Sequence, residues 1–231
     1  MSSAGARLHA AADPRGTRLR AEADGRRERV MAAARSAFFE LGLEGASLRE
    51  IAKRAGYTPG ALYSYFPSKE AVYGALLGES LERLNLGVQA AARTPLPQPG
   101  ADNRARLLCE RVRIGALAFF DFYLDSPGDL ALGFYLFHGL RPRGLTPELN
   151  RALNARLLDA LAPIRQALLA LGLARERAQT ELTALFAHAV GLLLLSHTGR
   201  IRMFDRHART LFDHYLQALV QRTAAKRGGG K

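Results

Sequence analysis

Apolar residues recur at helical spacing along nearly the whole chain, and no stretch keeps the strict alternation expected of a strand. From Arg26 onward, Val30, Ala34, Ala37, Phe38 and Leu41 fall at i, i+4, i+7, i+8 and i+11, one stripe along a helix, with Gly42 and Gly45 read as positive-φ stops. Ser47-Leu48-Arg49-Glu50 then has the capping-box pattern, a hydroxyl for the free amide at Glu50 and a carboxylate reaching back. Leu48, Ile51, Ala52 and Ala55 form the inner face of this second helix, and Gly56 ends it. After the turn at Gly56-Tyr57, Thr58 caps a third helix with Pro59 at its first position, where a missing amide costs nothing. Leu62 and Phe66 point inward from it and Pro67 terminates it. Ser68 caps a long fourth helix that buries Val72, Leu76, Leu77, Leu81 and Leu84.

Prolines at 95, 97 and 99 forbid a continuous helix beyond this point and mark an internal boundary. Later Pro and Gly punctuation cuts the remainder into helices expected over 102–125, 129–139, 147–171, 175–198 and 204–222. Residues 1–24 lack an apolar face and read as a flexible basic arm, and 223–231 read as a flexible tail. The expected architecture is therefore all-α: a three-helix amino-terminal domain over 25–85, joined by the long fourth helix to a second helical domain over 101–222.

Composition narrows the class without naming it. Hydrophobic residues make up 48% and charged residues 23% of the 231, which suits a globular chain of one or two domains. Cys109 is the one cysteine, so neither an intrachain disulfide nor a Cys-based zinc site is expected, and a reducing cytoplasm fits. The first 24 residues hold no apolar core for a secretory signal. The apolar run Leu182–Ser196 falls short of the ~20 residues of a spanning helix, so it is expected to be a buried helix with no membrane partner. Net charge is +12, which favours a polyanion. Residues 1–69 carry 12 Lys and Arg against 7 Asp and Glu, however, so the excess is spread through both parts. Glycine-rich phosphate loops, His-Glu-x-x-His pairs and Gly-x-Ser-x-Gly elbows are all missing, so neither enzyme, cofactor nor metal is expected.

Two short helices joined by a glycine turn and braced by a helix in front make a helix-turn-helix unit. A recognition helix entering a major groove about 12 Å wide favours small residues at its start, where the backbone comes closest. Thr58, Pro59, Gly60 and Ala61 meet that demand, and Tyr63, Ser64 and Tyr65 offer hydroxyls opposite Leu62 and Phe66. Lys69 sits at an amide-rich helix start, the place for a phosphate clamp. Tyr63 and Tyr65 also suit plain amphipathic packing. Arg26 and Arg27 fit a phosphate or minor-groove contact and a solvated helix start equally, and Arg49, Lys53 and Arg54 are either phosphate contacts or exposed charge.

Phe38, Leu41 to Gly45 and then SLREIAKRAGYTPGALYSYFPSKEAVYGAL resemble the DNA-binding domain of the TetR family of bacterial regulators over Gly25 to Asn85. The resemblance implies DNA contacts from Ser47, Thr58, Gly60, Ala61, Tyr63, Tyr65 and Lys69. Tyr57 stands where a small aliphatic residue is more usual, and Pro59 and Ala61 where residues can be more polar. The resemblance also implies that the second domain dimerises and binds a ligand, giving a sequence-specific regulator, by default a repressor of an inverted-repeat operator on double-stranded DNA. Aromatic residues concentrated at Phe119, Phe120, Tyr123, Phe134 and Phe137, with His138 and His188, point to a small apolar or aromatic effector or to ordinary core. Leu182, Leu185, Phe186, Ala189, Val190 and Leu193 on one helix, and Phe212, Tyr215, Leu216 and Leu219 on the last, are the faces expected to form a homodimer's four-helix interface. Control by a protein partner, without a small molecule, is the alternative.

Overall fold

Every regular element among the described residues, 14–96, 104–134 and 145–225 of this computed structural model, is a helix. Tertiary contacts divide the chain into two units, Met1–Val72 and Tyr73–Lys231. The first unit holds α1 (Pro14–Gly45), α2 (Leu48–Ala55) and α3 (Pro59–Tyr63). α4 (Lys69–Arg93) begins in this unit and contributes most of its length to the second, together with α5 (Arg104–Asp125), α6 (Pro127–Gly133), α7 (Pro147–Ala170), α8 (Arg175–His197), a short 3-10 helix (Arg200–Phe204) and α9 (Ala208–Ala225).

In the first unit α2 packs on α1 and α3 on α2. Val30, Ala34, Ala37 and Phe38 of α1 are buried with Leu48, Ile51 and Ala52 of α2, Leu62 of α3 and Phe66. Leu41 departs from the expected stripe and is 44% exposed, because Gly42, with φ 69°, breaks the helix path immediately after it. Gly45, read as a second positive-φ stop, is not one. α1 also starts earlier than expected: residues 14–24, read as part of a flexible arm, are helical. Pro14 suits the first helical turn, and the Arg, Ala and Glu that follow are good helix formers that need no apolar face to continue a helix already anchored downstream.

The second unit begins where α4 commits its buried side. Tyr73 is fully buried and its hydroxyl donates to the Leu132 carbonyl at 2.6 Å. Arg83 pairs with Asp129 at 2.6 Å. Gly74 lets Leu149 come so close that an added Cβ would stand 2.5 Å from its Cδ2. These contacts explain why the boundary falls at residue 72 rather than at the Pro-rich stretch beyond Asn85. α5 lies at the centre, packed against α7, α8 and α9, with Phe119, Phe120 and Tyr123 buried along it. Arg113 of α5 reaches Asp213 of α9 at 2.9 Å. The final helix was expected over 204–222; Gly199 (φ 71°) and Asp205 (φ 49°) instead bracket the 3-10 turn, and α9 runs to Ala225. The first residues of the expected tail are thus helical. α8 is long and apolar enough to cross a membrane by length and composition. Its Leu182, Leu185, Ala189 and Leu193 are nevertheless buried within the second unit.

Gly56 closes α2 at φ 76° with nothing within 4 Å of the position a Cβ would take. Gly56→Ala is therefore expected to destabilise the first unit through backbone strain alone, by about 1–2 kcal/mol. Chemical denaturation followed by helix circular dichroism, with Gly56→Asn as the more tolerant variant, measures it.

Candidate nucleic-acid interface

α2 and α3 are too short to persist alone, so their ends are tied individually. Ser47 Oγ accepts the Glu50 amide at 3.1 Å, and Thr58 Oγ1 accepts the Ala61 amide at 3.3 Å. Between them Gly56, in the left-handed region, donates its amide to the Ala52 and Lys53 carbonyls, and the Tyr57 amide reaches Ala52 O at 2.9 Å. Pro59 occupies the first helical position of α3. Leu62 turns inward from α3 and Phe66 follows it into the core. The helix is shorter than expected: it ends at Tyr63, and Ser64 returns its hydroxyl to the Ala61 carbonyl at 2.7 Å.

That inward pair leaves one outward face. Thr58, Gly60, Ala61 and Ser64 are exposed and Pro59 is half-buried. Tyr63 is 57% and Tyr65 47% exposed. Gly60 faces open space, so the start of α3 presents almost bare backbone. Ser47 is exposed at the start of α2. Its hydroxyl and that of Thr58 accept a cap bond while keeping their own proton to donate. The structure thus brings Thr58, Gly60, Ala61, Tyr63, Ser64 and Tyr65 together, and adds Ser47 at a second helix end.

Three cationic positions turn out differently. Lys69 sits half-buried, its Nζ directed at the carbonyls of Glu44 and Ala46, 3.4 Å from each. It holds the α1–α2 junction rather than standing out as a clamp, because those carbonyls follow the break at Gly42 and need donors. Arg54 is likewise engaged, with Glu50 and Glu40 each at 2.8 Å and Ser36 Oγ at 2.9 Å. Of the two roles left open by the sequence, neither describes Arg54: it is a bracket between α1 and α2. Its hydrogen bond holds the Glu40 carboxyl below its ordinary value, with help from Ser36. The third case is a cation the sequence did not single out. Arg29 lies over the Tyr57 ring at 5.5 Å, beside Arg27 over Phe66 at 6.0 Å. This explains why an aromatic residue is accommodated at position 57: its ring supplies the face for a guanidinium. Arg26, Arg27, Tyr57, Ala61 and Tyr65 help to line a cavity of about 170 Å³ against α3.

In the second unit the expected ligand residues Phe119, Phe120 and Tyr123 are buried among other rings. Phe119 meets Tyr123 at 5.2 Å and Phe186 at 5.8 Å, Tyr123 meets Phe134 at 5.6 Å, and Phe120 stacks on Phe212 at 4.4 Å. Burial holds the Tyr123 phenol well above its usual range, so it stays protonated. His188 stacks on Tyr215 at 4.2 Å, and burial lowers its pKa. Phe137 and His138 lie outside the described residues. Of the expected dimer residues, Leu182, Leu185, Ala189, Leu193, Phe212, Leu216 and Leu219 are buried within this single chain. They are intrachain core, since α8 and α9 turn their most apolar sides to each other and to α5. Phe186, Val190 and Tyr215 are half-buried. The outward side of these helices consists of smaller and more polar residues, among them Thr180, Ala184, Ala187, Gly191, His214 and Ala218.

Two short capped helices across a left-handed glycine, with a small-residue exposed face on the second, define a helix-turn-helix head. Residues 30–76 match the family model TetR_N, bacterial regulatory proteins of the tetR family. The chain is 39% identical over 100 residues to the HTH-type transcriptional activator FasR of Mycolicibacterium smegmatis, covering 43% of this chain and 41% of FasR. It is 32% identical over 108 residues to YdgC of Bacillus subtilis, described as an uncharacterized HTH-type transcriptional regulator, covering 46% of this chain and 52% of YdgC. The chain thus spans about half or less of the length of these curated relatives. In fold it is similar to FadR of Bacillus subtilis, a transcriptional regulator solved in complex with stearoyl-CoA, with TM-score 0.62 and 18% identity over 84% of this chain and 97% of that one. The resemblance to the tetR family is thus carried by the amino-terminal segment, residues 30–76. Both of these relatives are described as regulators of transcription.

Glu40 supplies a pH test of the Arg54 bracket. Its folded pKa lies below the ordinary 4.5, so the stability it contributes is fully present above that value and is lost as pH falls through the lowered one. Thermal melts of wild type and Glu40→Gln are expected to differ above pH 4.5 and to converge only beneath it.

Proposed function

We propose that the protein is a sequence-specific DNA-binding regulator of transcription that works in the cytoplasm as a homodimer and answers to a small apolar molecule. The observation that carries the DNA reading is the outward face of α3, where Thr58, Gly60, Ala61, Tyr63 and Tyr65 stand exposed around nearly bare backbone. The small side chains of Thr58, Gly60 and Ala61 at its start admit the helix deep into a major groove, and the hydroxyls of Tyr63 and Tyr65 beside them suit phosphates and base edges alike. A head with no Arg, Asn or Gln on α3 reads few bases by bidentate contact. Selectivity then draws on DNA shape and on a twofold pair of heads, which places half-sites about 34–36 Å apart on an inverted repeat. Repression follows directly from covering a promoter. The relative FasR is named an activator, and a promoter–reporter assay decides the sign.

The effector reading rests on the aromatic cluster of Phe119, Tyr123, Phe134 and Phe186 and on the likeness to a regulator bound to stearoyl-CoA. A long-chain acyl thioester is accordingly the first ligand to try. α4 provides the physical link: its first turn belongs to the DNA-binding unit, and from Tyr73 onward it is pinned to α6 and α7. A ligand that favours one position of α4 biases both units.

Tyr63→Ala is expected to leave helix content and melting unchanged, since the ring is 57% exposed, while weakening operator binding by about tenfold, roughly 1–2 kcal/mol. A fluorescence-anisotropy titration that returns wild-type affinity removes Tyr63 from the contact face. Stearoyl-CoA is expected to raise the melting temperature and to lower operator affinity by about 5- to 150-fold. An unchanged operator affinity at saturation counts against the coupling.

A further inference from the structure

The first unit holds a cavity whose chemistry the DNA reading does not use. It lies between α1 and α3, wholly within residues 26–66, with a volume of about 170 Å³. Its floor is apolar and belongs to the core: Val30, Leu62 and Phe66 are buried. Arg26, Arg27 and Tyr65 stand in its outer wall, and no acid is among the described residues that line it. An apolar floor under a cationic wall suits a molecule with one apolar ring and one negative charge. Size limits the ring count, since an apolar cavity of about 150 Å³ takes a single benzene.

Tyr57 sets the cavity apart from a packing gap. Its ring lines the space and lies under the Arg29 guanidinium at 5.5 Å, while its hydroxyl is shut off from solvent with no hydrogen-bond partner. A hydroxyl buried in that state costs free energy that an apolar residue at the same position does not. An acceptor brought into the cavity relieves that cost, and an ionised acceptor does so most strongly. Arg27 lies over the Phe66 ring at 6.0 Å. That contact uses the face of a guanidinium, whose N–H groups donate in its plane. We propose that this cavity binds a single-ring aromatic carboxylate, its ring against Val30, Leu62 and Phe66 and its carboxylate toward Arg26, Arg27 and the Tyr57 hydroxyl.

Occupancy opposes DNA in two ways. Leu62 and Phe66 are the buried residues that hold α3 in its unit, so a ligand seated on them displaces the recognition helix relative to α1. Its charge also offsets Arg26 and Arg27, cations that otherwise favour a duplex. By linkage, a duplex bound at α3 weakens the ligand by the same factor. The aromatic cluster around Phe119 and Tyr123 lies in the other unit, so the chain carries two separate inputs. The binding step stands without the DNA reading, and its consequence rests on that reading.

The test uses the full chain, first without DNA. Fluorine NMR follows 2-fluorobenzoate titrated into the protein at an ionic strength held constant with chloride. A saturable change is expected, reversed by benzoate. Acetate, with the charge and no ring, and benzyl alcohol, with the ring and no charge, are expected to compete at least about tenfold less well. Tyr57→Leu and the double variant Arg26→Gln/Arg27→Gln are each expected to weaken binding about tenfold. Glutamine is a good helix former, so the double variant keeps α1 and still decides the matter should Tyr57→Leu fail to fold. Wild-type affinity in the double variant, acetate competing as well as benzoate, or no saturable signal overturns the site. In a second arm, saturating benzoate is expected to lower operator affinity by about tenfold, and an unchanged affinity overturns the opposition to DNA. A wild-type chain that binds no duplex sinks the DNA reading instead, and the fluorine signal still decides the site.

Discussion

A helix of five residues cannot hold itself together in water, and the DNA contact proposed for this protein depends on one that is held. α3 owes its existence to the Thr58 cap, to Pro59 at its first turn and to the burial of Leu62 and Phe66. The direction in which it points is set by a single left-handed residue, Gly56. Everything behind that turn serves as its mount. The Arg54 bracket and the Lys69 bonds to Glu44 and Ala46 fasten α1, α2 and the start of α4 to one another. The recognition surface is therefore small, polar and rigid, with its apolar residues spent inward.

What the sequence made legible follows from how locally each signal is encoded. Ser47, Thr58 and Ser68 announce helix starts within three residues of themselves, and each cap bond is present. Gly56 announces the stop of α2 just as locally, whereas α3 ends at Tyr63, ahead of the Pro67 stop that was expected. The amino-terminal head could be read residue by residue for that reason. Lys69 and Arg54 were less readable because their partners lie elsewhere in the chain: the Glu44 carbonyl is 25 residues from Lys69, and Glu40 is 14 from Arg54. A cation near a helix start looks the same in sequence whether it faces a phosphate or a carbonyl.

The second unit exposes a different limit. Periodicity located α5, α7 and α8 to within a few residues, but it cannot say which of two neighbours an apolar face will meet. Leu182, Leu185, Leu216 and Leu219 have the pattern of a dimer seam, yet they are buried in one chain. In α8 and α9 the strongest apolar stripe goes to the protomer's own core, and a weaker, small-residue side is left outward. The 3-10 turn was invisible to helical periodicity because its order comes from two left-handed residues and one buried isoleucine.

The engagement of Arg54 has a kinetic side. Only cations that displace counterions from the duplex hold a protein on arbitrary sequence, and an arginine already neutralised by two glutamates displaces none. On the proposed DNA reading, the head would linger less at random sites than its number of arginines and lysines suggests. For any regulator that must find one operator, time lost on every wrong stretch of DNA is time withheld from the right one.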